Sequence, residues 1–153
     1  MSRAYVALGS NLGDREENLC AALKHLQENG VEVINTSTFI ETEPYGVTDQ
    51  PGFVNAVCQV ETELAPLELL HLLLSIEQEM GRVRLRRWGE RNIDLDLLLY
   101  EDAVLESEEL TLPHPDMQNR DFVLIPLAEI AGEVVHPVLG KTIKLLKEEL
   151  LCK

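Results

Sequence analysis

Asp94 and Asp96 stand one residue apart inside the apolar run "NIDLDLLLY". On a strand, side chains two apart project to the same face with Cα atoms ~6.5 to 7 Å apart, whereas on a helix they would diverge by about 200°. Two carboxylates held this way can bind one or two Mg²⁺ ions, hard cations that take a couple of carboxylates and complete their shell with water and substrate phosphates. The bland alternative is a strand face that is merely acidic, and for a bare DxD it is the commoner case. The balance shifts because Leu98 and Tyr100 are expected to continue the same face as apolar residues. A partly covered face rarely keeps two carboxylates without a cation nearby.

Cations lie close by in sequence. Five of the eight arginines fall in "RVRLRRWGER", residues 82–91, and Arg91 is three residues before Asp94. Arginine suits polyphosphate because its planar fork binds oxygens bidentately and stays charged. A charge run is as often a solvated loop, and its place at one end of the aspartate strand favours a phosphate grip. Trp88 could anchor that loop or cover a ring-shaped ligand. The whole chain carries 13 Lys and Arg against 27 Asp and Glu, net −14, which argues against nonspecific nucleic-acid binding. A cationic island on an acidic chain points to one small, highly anionic ligand.

Other motifs carry less. "GSNLGD", residues 9–14, resembles a glycine-rich phosphate loop at a helix start. With no GxxxxGK[ST] and no GxGxxG in the chain, a tight strand-to-helix turn is the better reading. "TLPHPDMQNRDF" sets His114 between Pro113 and Pro115, which stiffens the backbone around it. A lone histidine is usually structural, but Arg120 and Phe122 follow it without a hydrophobic period to explain them, so this turn could face a ligand. Cys20, Cys58 and Cys152 form no CxxC pair and read as reduced thiols, two of them in the core. The four histidines form no HxxxH pair.

The elements that must position these groups can be read from pattern. At 153 residues one core and a single domain, 1–153, are expected. The longest nearly apolar stretch, "LELLHLLLSI", is broken by Glu68 and His71 and falls short of the ~20 residues that span a bilayer. The amino terminus lacks the apolar core of a secretory signal, so a soluble, cytoplasmic protein without membrane or nucleic-acid partners is expected. "RAYVALGSN" reads as a buried strand, followed by a helix with Asp14 as N-cap and Gly30 beyond its end. "VEVINTSTFIETE" and "FVNAVCQVETEL" read as two strands, and "APLELLHLLLSIEQEMG" as a helix from Pro66 to Gly81. In the aspartate strand Ile93, Leu95, Leu97 and Leu99 alternate strictly and should face the core. A short hairpin, a Pro-bounded turn, a helix near 122–131 and a last helix at 141–150 complete the chain. The order is that of an α+β, ferredoxin-like βαββαβ antiparallel sheet with helices packed on it and a C-terminal helical extension.

"TEPYG", "QPGFVNAV", "GRVR", "RWGERNIDLDLLLY" and "LPHPDMQNRDFVLIPLAEI", in this order and spacing, resemble the 6-hydroxymethyl-7,8-dihydropterin pyrophosphokinase family of the folate pathway. The resemblance runs from "ALGSN" to "HPVLGKTI". It implies transfer of a diphosphate group from ATP to the hydroxymethyl group of the pterin, with release of AMP, by a monomeric enzyme. It further implies that Asp94 and Asp96 hold the magnesium, two ions bridging ATP phosphates, and that Arg82 and Arg91 meet those phosphates, with Arg84 in the same loop. His114, Arg120, Thr111 and Glu77 match further positions around ATP. On the pterin side Phe53 and Phe122 would sandwich the ring and Asn55 would bond its edge. The backbone of Thr42, Glu43, Pro44, Tyr45 and Gly46 would close the pocket, with Trp88 folding over it.

Three positions depart from the family pattern: Glu109 where some members carry an ATP-contacting arginine, Pro115 in place of an aromatic residue, and Tyr45 in place of a smaller aliphatic one. They bear on ATP affinity and loop closure and leave the reaction type untouched. Two other readings compete. Another two-metal phosphoryl or nucleotidyl transferase of similar fold would keep the aspartates without needing Phe53, Asn55 and Phe122 together. A noncatalytic metabolite-binding module would leave both the aspartates and the arginines unexplained.

Overall fold

The computed structural model describes residues 1–42, 52–81 and 92–152, so the expectations for Glu43, Pro44, Tyr45, Gly46, Arg82, Arg84, Trp88 and Arg91 lie outside the described residues. The strands are β1 (Ser2–Ser10), β2 (Glu32–Thr36), β3 (Ile40–Thr42), β4 (Phe53–Thr62), β5 (Asp94–Tyr100), β6 (Leu105–Glu106) and β7 (Thr111–Leu112). The helices are α1 (Arg15–Glu28), α2 (Pro66–Glu79), α3 (Asp121–Ala131) and α4 (Ile143–Leu151), with a 3₁₀ turn at Met117–Asn119. The main sheet runs β2-β4-β1-β5 with β3 also on β4, every pairing antiparallel. That order, with α1 and α2 as the connections, is the ferredoxin-like arrangement expected from the pattern.

Period-two alternation divides the sheet's side chains between two layers. Ala4, Val6, Leu8, Val54, Ala56, Cys58, Val60, Leu95 and Leu97 pack with Leu19, Ala22 and Leu26 of α1 and Leu69, Leu73 and Ile76 of α2. Tyr5, Val57, Leu98 and Leu99 pack with Val123, Leu124 and Leu127 of α3 and Ile143 and Leu146 of α4 on the other side. Local chemistry bounds the helices as expected. Asp14 Oδ1 accepts the Glu17 N–H at 3.1 Å, and Gly30 and Gly81 close α1 and α2 in the left-handed region, at φ 82° and 69°. Glu68 reaches back to the Ala65 N–H at 2.9 Å. Among the described residues no helix is long and apolar enough to cross a membrane.

Three expectations need correction. The single strand expected over 31–43 is two strands: at Ser37 the backbone N–H still donates to Val57 O at 2.9 Å, but the Val57 N–H is taken at 2.9 Å by the Ser37 hydroxyl instead of a backbone carbonyl, and that hydroxyl donates to Thr38 O at 3.0 Å. The strict alternation expected through Leu99 breaks. The β1–β5 register shifts between Tyr5 and Val6, which face Leu99 and Leu97, so Leu98 has no opposite number. Beyond this bulge Leu99 joins the α3/α4 side and Tyr100 the α1/α2 side, the reverse of what alternation predicts. Of the three cysteines only Cys58 is core, on the inner face of β4, whereas Cys20 and Cys152 are exposed. Burial pushes the Cys58 thiol up to about 12, which makes it chemically inert.

Candidate active site

The α3/α4 side of the sheet is apolar at one end and polar at the other, and the polar end gathers Thr42, Phe53, Asn55, Asp94 and Asp96. In the register, Gly9 of β1 lies opposite Asn55 of β4 on one side and Asp94 of β5 on the other. Directly paired residues share a face, and neighbouring strands are ~4.8 Å apart. Asn55 and Asp94 therefore stand ~10 Å apart across a residue with no side chain. Asp96 follows opposite Ala7, and Phe53 and Thr42, a pair between β4 and β3, continue the face at its outer corner. Gly9 is tightly enclosed: a Cβ there would come within 3.0 Å of Asn55 Oδ1 and 3.6 Å of Phe53 Cδ1.

Asp94 and Asp96 are both half-buried and alternate with Leu95 and Leu97, which anchor the strand in the α1/α2 layer. β5 is an edge strand, so half of its N–H groups face away from β1. The Leu95 N–H, between the aspartates, is taken at 2.7 Å by a carboxylate oxygen of Glu77, which is 6% exposed on α2. Glu77 thus reaches the pair through the backbone between them, and it lines an open cleft of about 840 Å³ with His71, Leu74, Ser75, Gln78 and Gly81. At the rim, His71 Nε2 lies 2.8 Å from Glu109, which gives that departing position a partner. Among the described residues no third ligating side chain joins a metal-binding cluster. Two half-buried carboxylates opposite Ala7 and Gly9 form an oxygen donor set whose chemistry fits Mg²⁺, which keeps most of its shell for water and phosphate.

The turn after β7 supplies the other wall. The His114 N–H donates to Leu98 O at 2.9 Å, which docks the turn along the free edge of β5 just past Asp96. Burial lowers the His114 pKa, the Arg120 charge adds to the effect, and Asp116 opposes it. The imidazole is therefore neutral at pH 7, and Nδ1 accepts the Asp116 N–H at 3.3 Å. Arg120 precedes α3, its guanidinium 5.8 Å from the centre of the Phe122 ring and 3.9 Å from Asp116. Phe122, in the first turn of α3, packs partly against the α3/α4-side core. Thr111 is in β7, paired with Glu106 in a separate two-stranded sheet.

On the pterin-candidate side the Asn55 Nδ2 donates to Thr42 Oγ1 at 2.8 Å, so those side chains are already locked to each other. The "GSNLGD" segment is the turn expected in preference to a phosphate loop. Asp14 holds the helix end, and Asn18 Nδ2 braces the turn against Ser10 Oγ at 3.1 Å and Leu12 O at 2.8 Å. Sequence reasoning overlooked Gly9 itself. A glycine within a strand pattern marks a close approach, and that signal was present. A second open cavity, about 630 Å³ beside Gln118, Lys141, Leu146 and Glu149, carries none of the candidate residues.

Residues 5–132 match the family model described as 7,8-dihydro-6-hydroxymethylpterin-pyrophosphokinase. A Haemophilus influenzae protein named 2-amino-4-hydroxy-6-hydroxymethyldihydropteridine pyrophosphokinase is 54% identical over 138 residues, covering 90% of this chain and 86% of that one. A Methylorubrum extorquens protein of the same name is 48% identical over 145 residues, 94% of this chain and 90% of that one. The crystal structure of wild-type Plasmodium falciparum HPPK-DHPS with pteroate superposes with a TM-score of 0.78 at 19% identity, covering 99% of this chain and 42% of that chain. At that identity the superposition speaks for the fold.

Proposed function

The chain belongs to the 7,8-dihydro-6-hydroxymethylpterin-pyrophosphokinase family and is a pyrophosphokinase of folate biosynthesis, and from that premise we propose how its residues divide the reaction. It transfers the diphosphate of ATP to the hydroxymethyl oxygen of 6-hydroxymethyl-7,8-dihydropterin and releases AMP. Asp94 and Asp96 hold Mg²⁺ against the ATP phosphates. Phe53, Asn55, Thr42 and Phe122 hold the pterin. The single observation that supports this division is the line Asn55–Gly9–Asp94 across three strands, which sets a ring-edge amide and a cation-binding carboxylate ~10 Å apart on one face.

Diphosphoryl transfer asks a protein for alignment and charge more than for covalent chemistry. Asn55 turns its amide NH₂ to Thr42 and so offers Oδ1 to a ring N–H. Phe53 and Phe122 supply the two aromatic faces that a flat heterocycle favours. Glu77 holds the Leu95 N–H and so fixes the edge that carries both aspartates. Neutral His114 and cationic Arg120 flank the phosphate side, with Thr111 further out and Arg82, Arg84 and Arg91 adding positive charge. When bound, Mg²⁺ neutralises phosphate charge and polarises the bridging oxygens. Glu43, Pro44, Tyr45, Gly46 and Trp88 complete the pterin pocket in this reading.

The test is incubation with ATP, Mg²⁺ and 6-hydroxymethyl-7,8-dihydropterin. Pterin-dependent AMP is expected. ADP as the product, or AMP formation without pterin, would overturn the proposal.

A further inference from the structure

Arg15 is a cation where its helix prefers an anion. It is the first residue of α1, where aligned peptide dipoles favour negative charge, and it is followed by Glu16 and Glu17. Its guanidinium leaves the helix end and spans two strands: Nη1 donates to Gly52 O at 2.7 Å, and Nη2 meets the Glu41 carboxylate at 2.9 Å. Glu41 immediately precedes Thr42 on β3, and Gly52 immediately precedes Phe53 on β4. Thr42 and Phe53 are the last register pair of this β3–β4 ladder, with Ile40 opposite Asn55 two residues back. One side chain on the α1/α2 face therefore ties together the two chain segments that carry Thr42 and Phe53 on the opposite face.

The post that carries Arg15 is rigid, since the Asp14 cap and the Asn18 brace fix the start of α1 to the end of β1. An exposed ion pair by itself contributes little to stability, and Glu41 is 68% exposed. What the two simultaneous contacts supply is geometry. A planar fork sets two acceptors at a fixed separation, which a lysine point charge cannot do. We propose that Arg15 is a positioning residue for the pterin side of the reaction, tying Glu41 to Gly52 and so setting the width of the corner that the ring enters. The inference rests on the reading that Thr42, Phe53 and Asn55 take the pterin, and Arg15 itself touches no substrate.

The full chain tests this by separate calorimetric titrations of 6-hydroxymethylpterin and ATP against Arg15→Ala, Arg15→Lys, Glu41→Gln and Asn55→Ala. Arg15→Ala should weaken pterin binding about 10-fold, less than the ~10²-fold in rate that a full 1 Å misplacement can cost, and leave the ATP Kd within about two-fold. Arg15→Lys should recover only part of the loss, because it regains Glu41 without Gly52. Glu41→Gln should fall between wild type and Arg15→Ala. Equal weakening of both ligands, in step with a lower melting temperature, would make Arg15 merely structural and overturn the proposal. An unchanged pterin Kd in Arg15→Ala, with Asn55→Ala weakened, would overturn it while sparing the pterin assignment. No change in Asn55→Ala would remove the pterin assignment and the proposal together.

Discussion

The two faces of the central sheet are built from the same strands and differ in what they tolerate. Toward α1 and α2, β1, β4 and β5 offer Val6, Leu8, Ala56, Val60, Leu95 and Leu97 in unbroken apolar rows. Toward α3 and α4 the rows begin apolar, at Tyr5, Val57 and Leu98, and end at Gly9, Asn55, Asp94 and Asp96. Adjacent residues thus face different ways: Leu8 and Leu95 hold the strands, and Gly9 and Asp94 face the proposed site. A carboxylate gains a rigid mount when its strand neighbours are buried on the far side, and the mount is as firm as that core.

The largest break in this division should come from Asp94→Ala or Asp96→Ala. Turnover should fall by at least about 10³-fold, ~4 kcal/mol of barrier, with pterin binding and melting temperature close to wild type. Wild-type rates would exclude the metal role. Next is Leu8→Ala on the opposite face, where a residue 2% exposed should cost about 3 kcal/mol in urea unfolding. The folded fraction should keep its kcat, and a loss confined to kcat would mean that the faces are not separable. Gly9→Ala should act on the site alone: its Cβ would meet Asn55 Oδ1 at 3.0 Å, weakening pterin binding about 10-fold with less than about 1 kcal/mol of stability lost. Equal pterin affinity would show that the corner yields.

The smallest effect concerns acid. His114 and His136 are both held below their ordinary pKa, chiefly by burial. The unfolded chain therefore binds more protons once pH drops below about 6.5. Stability should be unaffected by these groups above that value and should decline below it, toward the folded pKa. His114→Gln should make the fall in melting temperature between pH 7.5 and 5.5 shallower, whereas Leu8→Ala should shift the whole curve without changing its slope. A slope unaltered by His114→Gln would remove that histidine from the account.

Much of the fold was legible because it is written locally. Asp14 and Gly30, Pro66 and Gly81, and the alternation of Asp94 through Leu97 each name an element through caps or period. The two strand irregularities were not legible. At Ser37 a hydroxyl replaces a backbone partner, and at Leu98 the bulge depends on what β1 offers opposite. The site shows the same split. That Asp94 and Asp96 share a face follows from spacing, but the adjacency of Asn55, Gly9 and Asp94 requires the register of three strands, which no local pattern encodes. Arg15 stayed hidden for that reason, since its partners lie 26 and 37 residues away.

The bulge at Leu98 makes β5 behave like a text with a reading frame. The aspartates lie upstream of the shift. Removing Leu98 would therefore restore plain alternation, leaving Leu99 opposite Tyr5 on the α3/α4 side while both carboxylates keep their aim. A one-residue slip of β5 against β1 upstream of the shift would instead turn the carboxylates toward the α1/α2 layer and Leu95 and Leu97 away from it. A change of register thus re-aims the carboxylates only where it falls upstream of Leu98, and Leu98 and Leu99 beyond them serve the α3/α4 core.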